Sequence, residues 1–237
     1  MRSCFAAFAA VTAFSFTAVA HPTVASGPAA ANKSQKITFQ LGHGCDGDDT
    51  VKIKITIPST VTNVRGMFSD FGKFEIARDP NDANPVTNIR SVTWTKAADN
   101  STFLDEDTGF YEFTIRAKVA DVPFTQIQFN VEQTCKNANG TVGTPIQWDQ
   151  PPGSTTGEPA AQLTVVPSKI AGWNKIKLTR AIAAADLPKF FGDAQIVWKG
   201  AQAYSANANT VAQIQATQGA SVLASDLAVD DEIWVKY

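Results

Sequence analysis

Val51-Lys-Ile-Lys-Ile-Thr-Ile57, closed by Pro58, decides the fold class. Val51, Ile53, Ile55 and Ile57 alternate with Lys52, Lys54 and Thr56, so an extended chain presents one apolar face and one wet face. Pro58 has no N–H to give to a ladder and ends the strand. The same period of two recurs on both sides. Val92 and Trp94 alternate with Ser91 and Thr93; Tyr111, Phe113 and Ile115 with Glu112 and Thr114; Ile127, Phe129 and Val131 with Gln126, Gln128 and Asn130. Ile37 to Leu41 before them and Leu163 to Val166 after them complete the set, with Gly, Asn, Asp and Pro between. Half-buried antiparallel strands without an intervening helical pattern predict a mainly β protein, an immunoglobulin-like β-sandwich. Asp149 to Pro159 reads as a surface loop leading to the last of these strands.

After Pro167 the texture changes. Ala181 to Leu187 predicts a helix ended by Pro188, Ala194 to Trp198 and Glu232 to Tyr237 predict strands, and Val211 to Ala216 a second short helix. Residues 168–237 are expected to form a small α+β C-terminal domain whose thin core leans on the sandwich. Its aromatics, Trp173, Trp198, Tyr204, Trp234 and Tyr237, are expected mostly in that core, with a stacking platform for a sugar or a partner as the alternative.

The first twenty residues read as a signal peptide. Arg2, an apolar run from Phe5 to Ala18 and the small pair Ala18-x-Ala20 fit what a signal peptidase recognises. Residues 1–20 are then removed, and the chain is periplasmic or secreted. Cys4 leaves with them, and Cys45 and Cys135 remain as an even pair in an oxidising compartment, expected as a disulfide; a two-cysteine copper site is the competing reading. No later stretch reaches the roughly 20 apolar residues of a membrane helix, so no membrane anchor is expected. The 237 residues carry a formal charge of −2, with lysines and arginines scattered singly, which argues against a nucleic-acid partner. With two histidines in the chain, no serine–histidine–acid set assembles, and no phosphate-binding glycine loop is present.

Cleavage after Ala20 would place an α-amine and an imidazole on one residue, His21, and those two nitrogens can close a chelate ring on a metal ion. Nitrogen donors in a tetragonal arrangement favour Cu(II). Pro22 has no amide proton to lose, so the metal cannot take the next backbone nitrogen and must find other ligands from the fold. His43, between Gly42 and Gly44 and beside Cys45, is either a third nitrogen or a structural histidine of that turn.

His21-Pro-Thr-Val24, Gly42-His-Gly-Cys-Asp-Gly47 followed by the Val51 to Pro58 strand, Ser91-Val-Thr-Trp94, Gly109-Phe-Tyr-Glu-Phe113, Gln133-Thr-Cys135, Gln147-Trp148 and Pro159-Ala160 occur in the order of the YcnI-like family of exported copper-binding domains. Residues 21–167 resemble that family. The resemblance implies an immunoglobulin-like sandwich holding one Cu(II) per chain in a mono-histidine brace on His21, with Glu112 as carboxylate and Trp148 beside the metal; Glu75 is the rival carboxylate. It also implies copper transport or oxidase-assembly proteins as partners. The alternatives are a copper-dependent polysaccharide oxidase, in which His43 would have to supply the second histidine, and a metal-free carbohydrate-binding or adhesive sandwich.

Overall fold

The computed structural model describes residues 21–79, 88–97 and 110–237. The expected signal peptide, residues 1–20, and Gly109 of the Gly109–Phe113 motif lie outside them. In chain order the N-terminal unit consists of β1 (Thr23–Val24), β2 (Ala29–Ala30), β3 (Ser34–Leu41), β4 (Asp49–Thr56), β5 (Val61–Gly66), β6 (Gly72–Arg78), β7 (Ile89–Lys96), β8 (Tyr111–Val119), β9 (Thr125–Phe129), β10 (Val131–Lys136), β11 (Ile146–Gln150), β12 (Glu158–Pro159) and β13 (Ala161–Val166).

These strands form an immunoglobulin-like sandwich. A four-stranded sheet of order β1-β3-β8-β5 and a ribbon β2-β13-β9 beside it face a six-stranded sheet of order β12-β11-β10-β4-β7-β6. Alternation does what the sequence requires. Ile53 and Ile55 are fully buried while Lys52 and Lys54 are not, and Ile57, past the end of β4, still donates its N–H to the Arg90 carbonyl. Opposite them, Phe39 of β3 and Phe113 of β8 stand in direct register. Phe39 meets Phe129 edge-on at 5.0 Å within one layer, and Phe113 meets Trp94 at 5.4 Å across the two, an aromatic contact that bridges the layers. Each such side chain contributes roughly 1.5–3 kcal/mol by leaving water. Trp94, with no exposed surface, gives its indole N–H to the Met67 carbonyl.

One expected strand divides. Ile127 and Phe129 belong to β9, whose partner is β13, whereas Val131 opens β10, paired with β4 and β11. Asn130 alone carries the chain from one layer to the other, its carbonyl accepting from the Thr56 N–H. All three apolar residues point into the same core, so the alternation survives the switch and conceals it.

The C-terminal unit contains β14 (Trp173–Lys177), α1 (Leu187–Phe191), β15 (Ile196–Lys199), β16 (Gln202–Tyr204), α2 (Ala208–Ala216), β17 (Ser221–Val222) and β18 (Glu232–Lys236), the strands ordered β14-β18-β15-β16-β17. The helix expected to stop at Pro188 instead starts there. A 3-10 turn over Ala184–Asp186 leads into α1, and Pro188 sits in its first turn, where a missing N–H costs nothing. Asn207 caps α2 by accepting from the Asn209 and Thr210 N–H groups. This unit has its own buried cluster, which takes in one residue of the sandwich: Phe124, held at φ +62° and 3% exposed, lies against Phe190 and Phe191 at 5.7 and 5.5 Å.

Candidate functional site

β1 is a two-residue edge strand held by Thr23↔Gln40 and Val24↔Phe39 pairing with β3. Pro22 is buried, which fixes where the chain enters, and His21 stands exposed just before it. The His21 ring lies 6.3 Å from that of Trp148, tilted by 44°. Trp148 comes from β11, between Val131 of β10 and Glu158 of β12, and is only 4% exposed. It is therefore both a core residue and the wall beside His21.

Three further residues fix that wall. The Trp148 indole N–H donates to Gln133 Oε1 at 3.2 Å, and the Gln133 amide donates to Thr50 Oγ1 at 2.8 Å and to the His43 carbonyl at 3.2 Å. Gln133 is 1% exposed, so each of its polar atoms is satisfied inside the protein. Two positions on, Cys135 is joined to Cys45 in a disulfide, as expected from the residual pair of cysteines, and this ties the Gly42–Gly47 turn to β10. Within that turn His43 Nδ1 lies 2.7 Å from the Gly44 carbonyl, to which it donates. His43 thus acts in its own turn through Nδ1 and meets the Trp148 wall through its backbone. Gln133 is the residue whose role sequence reasoning missed; its place two residues before a disulfide cysteine on an alternating strand was the available signal.

The two carboxylates lie apart from each other. Glu112 is exposed on β8 opposite Gln40, which is itself opposite Thr23, so it stands on the row that leads to the His21 strand, two strand spacings or roughly 10 Å from Thr23. It borders a small hollow with Asp70, Phe71 and Lys96. Lys96 also holds the buried Asp49 carboxylate at 3.1 Å. Glu75 is on β6, the far edge of the six-stranded sheet, four strands from Trp148. Glu158, half-buried and in register with Trp148, is a nearer carboxylate by strand order. Among the described residues no three His, Cys, Asp or Glu side chains converge. If the bond to Ala20 were cut, His21 would present an α-amine and an imidazole on one residue, near a buried indole.

The C-terminal aromatics differ from expectation. Tyr204 and Tyr237 pack against the small core, but Trp173, Trp198 and Trp234 line a shallow apolar hollow of about 440 Å³ on the outer face of β14, β18 and β15. Trp173 and Trp234 are each 48% exposed. The core is built instead from residues such as Phe191, Val197, Ile233 and Val235. Tyr237 keeps its hydroxyl buried without a hydrogen-bond partner among the described residues, and burial pushes its phenol pKa up.

No helix among the described residues is long and apolar enough to cross a membrane. A comparison with curated proteins finds no match. Among solved structures the chain is similar to an uncharacterized protein from Nocardia farcinica with an immunoglobulin-like fold, at 24% identity over 61% of this chain and 97% of that one, TM-score 0.46. It is also similar to a type I cohesin–dockerin complex from Clostridium thermocellum, at 13% identity over 61% and 98%, TM-score 0.36. A third likeness is to the major pilin subunit of Bacillus cereus, at 13% identity over 75% and 47%, TM-score 0.35. Residues 21–165, more than half of the chain, match the family model described as Domain of unknown function (DUF1775), and the protein belongs to that family, which includes the YcnI-like domains.

Proposed function

We propose that this is an exported copper-binding protein that carries one Cu(II) on His21 after removal of residues 1–20, in the periplasm or outside the cell, and hands it to copper transport or oxidase-assembly proteins. The observation that carries this reading is the pairing of an exposed His21 ring with the buried Trp148 ring at 6.3 Å. His21 Nδ1 and the α-amine form the chelate; Pro22 denies the metal the next amide and so leaves the remaining positions to the fold. Trp148, held by Gln133, excludes water from one side. Glu112 is the carboxylate of choice because its row across β8, β3 and β1 leads to His21, and Glu75 is four strands from the indole.

The test compares protein beginning at His21 with protein carrying one alanine before it. The first takes up one Cu(II) with type-2 electron paramagnetic resonance features, and the extension weakens binding by more than about tenfold because the His21 amine becomes an amide and the brace on that residue is lost, roughly 1.4 kcal/mol or more. Equal affinities refute the brace. Glu112→Gln is expected to reshape the copper spectrum and Glu75→Gln to leave it unchanged; the reverse result moves the carboxylate role to Glu75.

A second reading, carbohydrate binding by the same exported chain, is favoured by the Trp173–Trp198–Trp234 face alone. Retention on cellulose or chitin that is lost on Trp234→Ala would establish it, and copper uptake without retention would remove it.

A further inference from the structure

The open side of the sandwich, between the edge strands β5 and β6 of its two layers, contains a hollow of about 510 Å³. Its floor is apolar: Val64 and Ile89 are buried, and Phe74 and Ile76 are half-buried. Three guanidiniums border it, Arg65 of β5, Arg78 of β6 and Arg116 of β8, with Ser34 and Asn63 as neutral polar neighbours. Among the described residues no carboxylate borders it and none of the three arginines has an ion-pair partner.

The placement is costly for the free protein. Arg65 stands directly opposite Arg116, and Arg116 directly opposite Lys36, so three cations sit in one row across β5, β8 and β3. Like charges facing each other across strands oppose pairing. The β-bulge between Thr62 and Arg65 shifts the register to bring Arg65 there. Guanidinium is also the cation whose planar fork of donors matches a tetrahedral oxyanion in two-point contact, and it is more weakly hydrated than ammonium.

We propose that this hollow binds a phosphate- or sulfate-class oxyanion carried on an apolar group, the oxyanion held by Arg65, Arg116 and Arg78 and the apolar group resting on Phe74 and Ile76. An apolar floor beneath a cationic rim separates this ligand from a bare inorganic ion, which would leave the floor unused. The site is independent of copper: it lies on the edge opposite β11 and β12 in the six-stranded sheet, and Trp148 takes no part in it.

The experiment titrates the whole processed protein with phenyl phosphate and, separately, with inorganic phosphate, following backbone amide shifts at fixed ionic strength. Phenyl phosphate is expected to shift the amides of β5 and β6 and to bind several-fold more tightly than inorganic phosphate. Arg65→Gln and Arg116→Gln are each expected to weaken it by about tenfold, the loss of one charge-assisted contact. The same variants should melt no lower than the parent without ligand, because each removes a like-charge pair; a lower melting temperature with unchanged affinity would make these arginines structural and overturn the site. Flotation with vesicles containing phosphatidylglycerol identifies the source. Arginine-dependent flotation assigns a lipid headgroup, and phenyl phosphate binding without flotation assigns a soluble ester. Absence of both, or binding indifferent to Arg65→Gln and Arg116→Gln, overturns the proposal.

Discussion

Replacing Gln133 by methionine tests the internal support of the Trp148 wall. The side chain keeps about the same volume, so no large cavity opens, but its three hydrogen bonds disappear. The His43 carbonyl belongs to a half-buried turn and can take water, and the Thr50 hydroxyl keeps Cys135 Sγ at 3.9 Å. The indole N–H of Trp148, in a residue 4% exposed, is the group left stranded. An unsatisfied buried donor costs about 1–3 kcal/mol, and the better burial of a thioether offsets only part of it. Gln133→Met should therefore destabilise the protein by about 1–3 kcal/mol, a drop of roughly 3–10 °C in melting temperature for a chain of this size. Urea unfolding followed by tryptophan fluorescence measures it, with the slope unchanged if only the native state is affected. The double-mutant cycle with Trp148→Phe isolates the bond: once the indole is gone, the methionine should cost markedly less. Additive losses in the cycle, or a single-variant loss under about 0.5 kcal/mol, would refute the reasoning.

Two further outcomes follow from the C-terminal unit. Phe124→Ala should destabilise that unit by about 3–5 kcal/mol, because it empties a core position between Phe190 and Phe191, while the sandwich keeps its own cluster; hydrogen exchange resolved by residue should show early opening of residues 168–237 and little change in β3 and β4. Tyr237 sets an alkaline limit. Burial raises its folded-state pKa above the ordinary tyrosine value near 10, so the neutral phenol is favoured in the native state. Its contribution is fully present below pH about 10 and is lost as pH rises through the folded pKa. Tyr237→Phe should raise stability at pH 7 by up to about 1–3 kcal/mol, since the buried hydroxyl has no partner among the described residues, and should flatten the alkaline decline; a variant that loses stability at pH 7 while keeping that decline would count against this.

Much of the sandwich was legible because its strands alternate cleanly. Val51 to Ile57 states both faces of β4 in seven residues, and Tyr111 to Ile115 does the same for β8. The change of layer at Asn130 was not legible, since Ile127, Phe129 and Val131 keep one parity through it and a period-two pattern carries no information about which sheet the hydrogen bonds join. At Pro188 the sequence offered two physical readings, a stop and a start, and the chain takes the second. Glu232 to Lys236 held an unread signal: Ile233 and Val235 are buried with Trp234 exposed between them, so the alternation itself places the tryptophan outside. Arg65, Arg78 and Arg116 looked solitary because they are far apart along the chain; only the β5–β8 register and the adjacency of two sheet edges gather them. At the candidate site, the structure puts the Trp148 indole 6.3 Å from the His21 ring, and the Gln133 network depends on cross-strand pairing that no local stretch encodes.

The disulfide gives the proposed copper site a history. Residues 42–47 are tethered to β10 by a covalent bond that forms in an oxidising compartment, and from that turn His43 offers the carbonyl to which Gln133 is bonded. The chelating amine of the proposed site would likewise come into being only on cleavage after Ala20. On that proposal, two irreversible or slowly reversed events, proteolysis and oxidation, would precede a finished site. On the proposed function, a precursor that has met neither event would lack both a free amine on His21 and a fastened turn behind Trp148, and would take up no copper before processing.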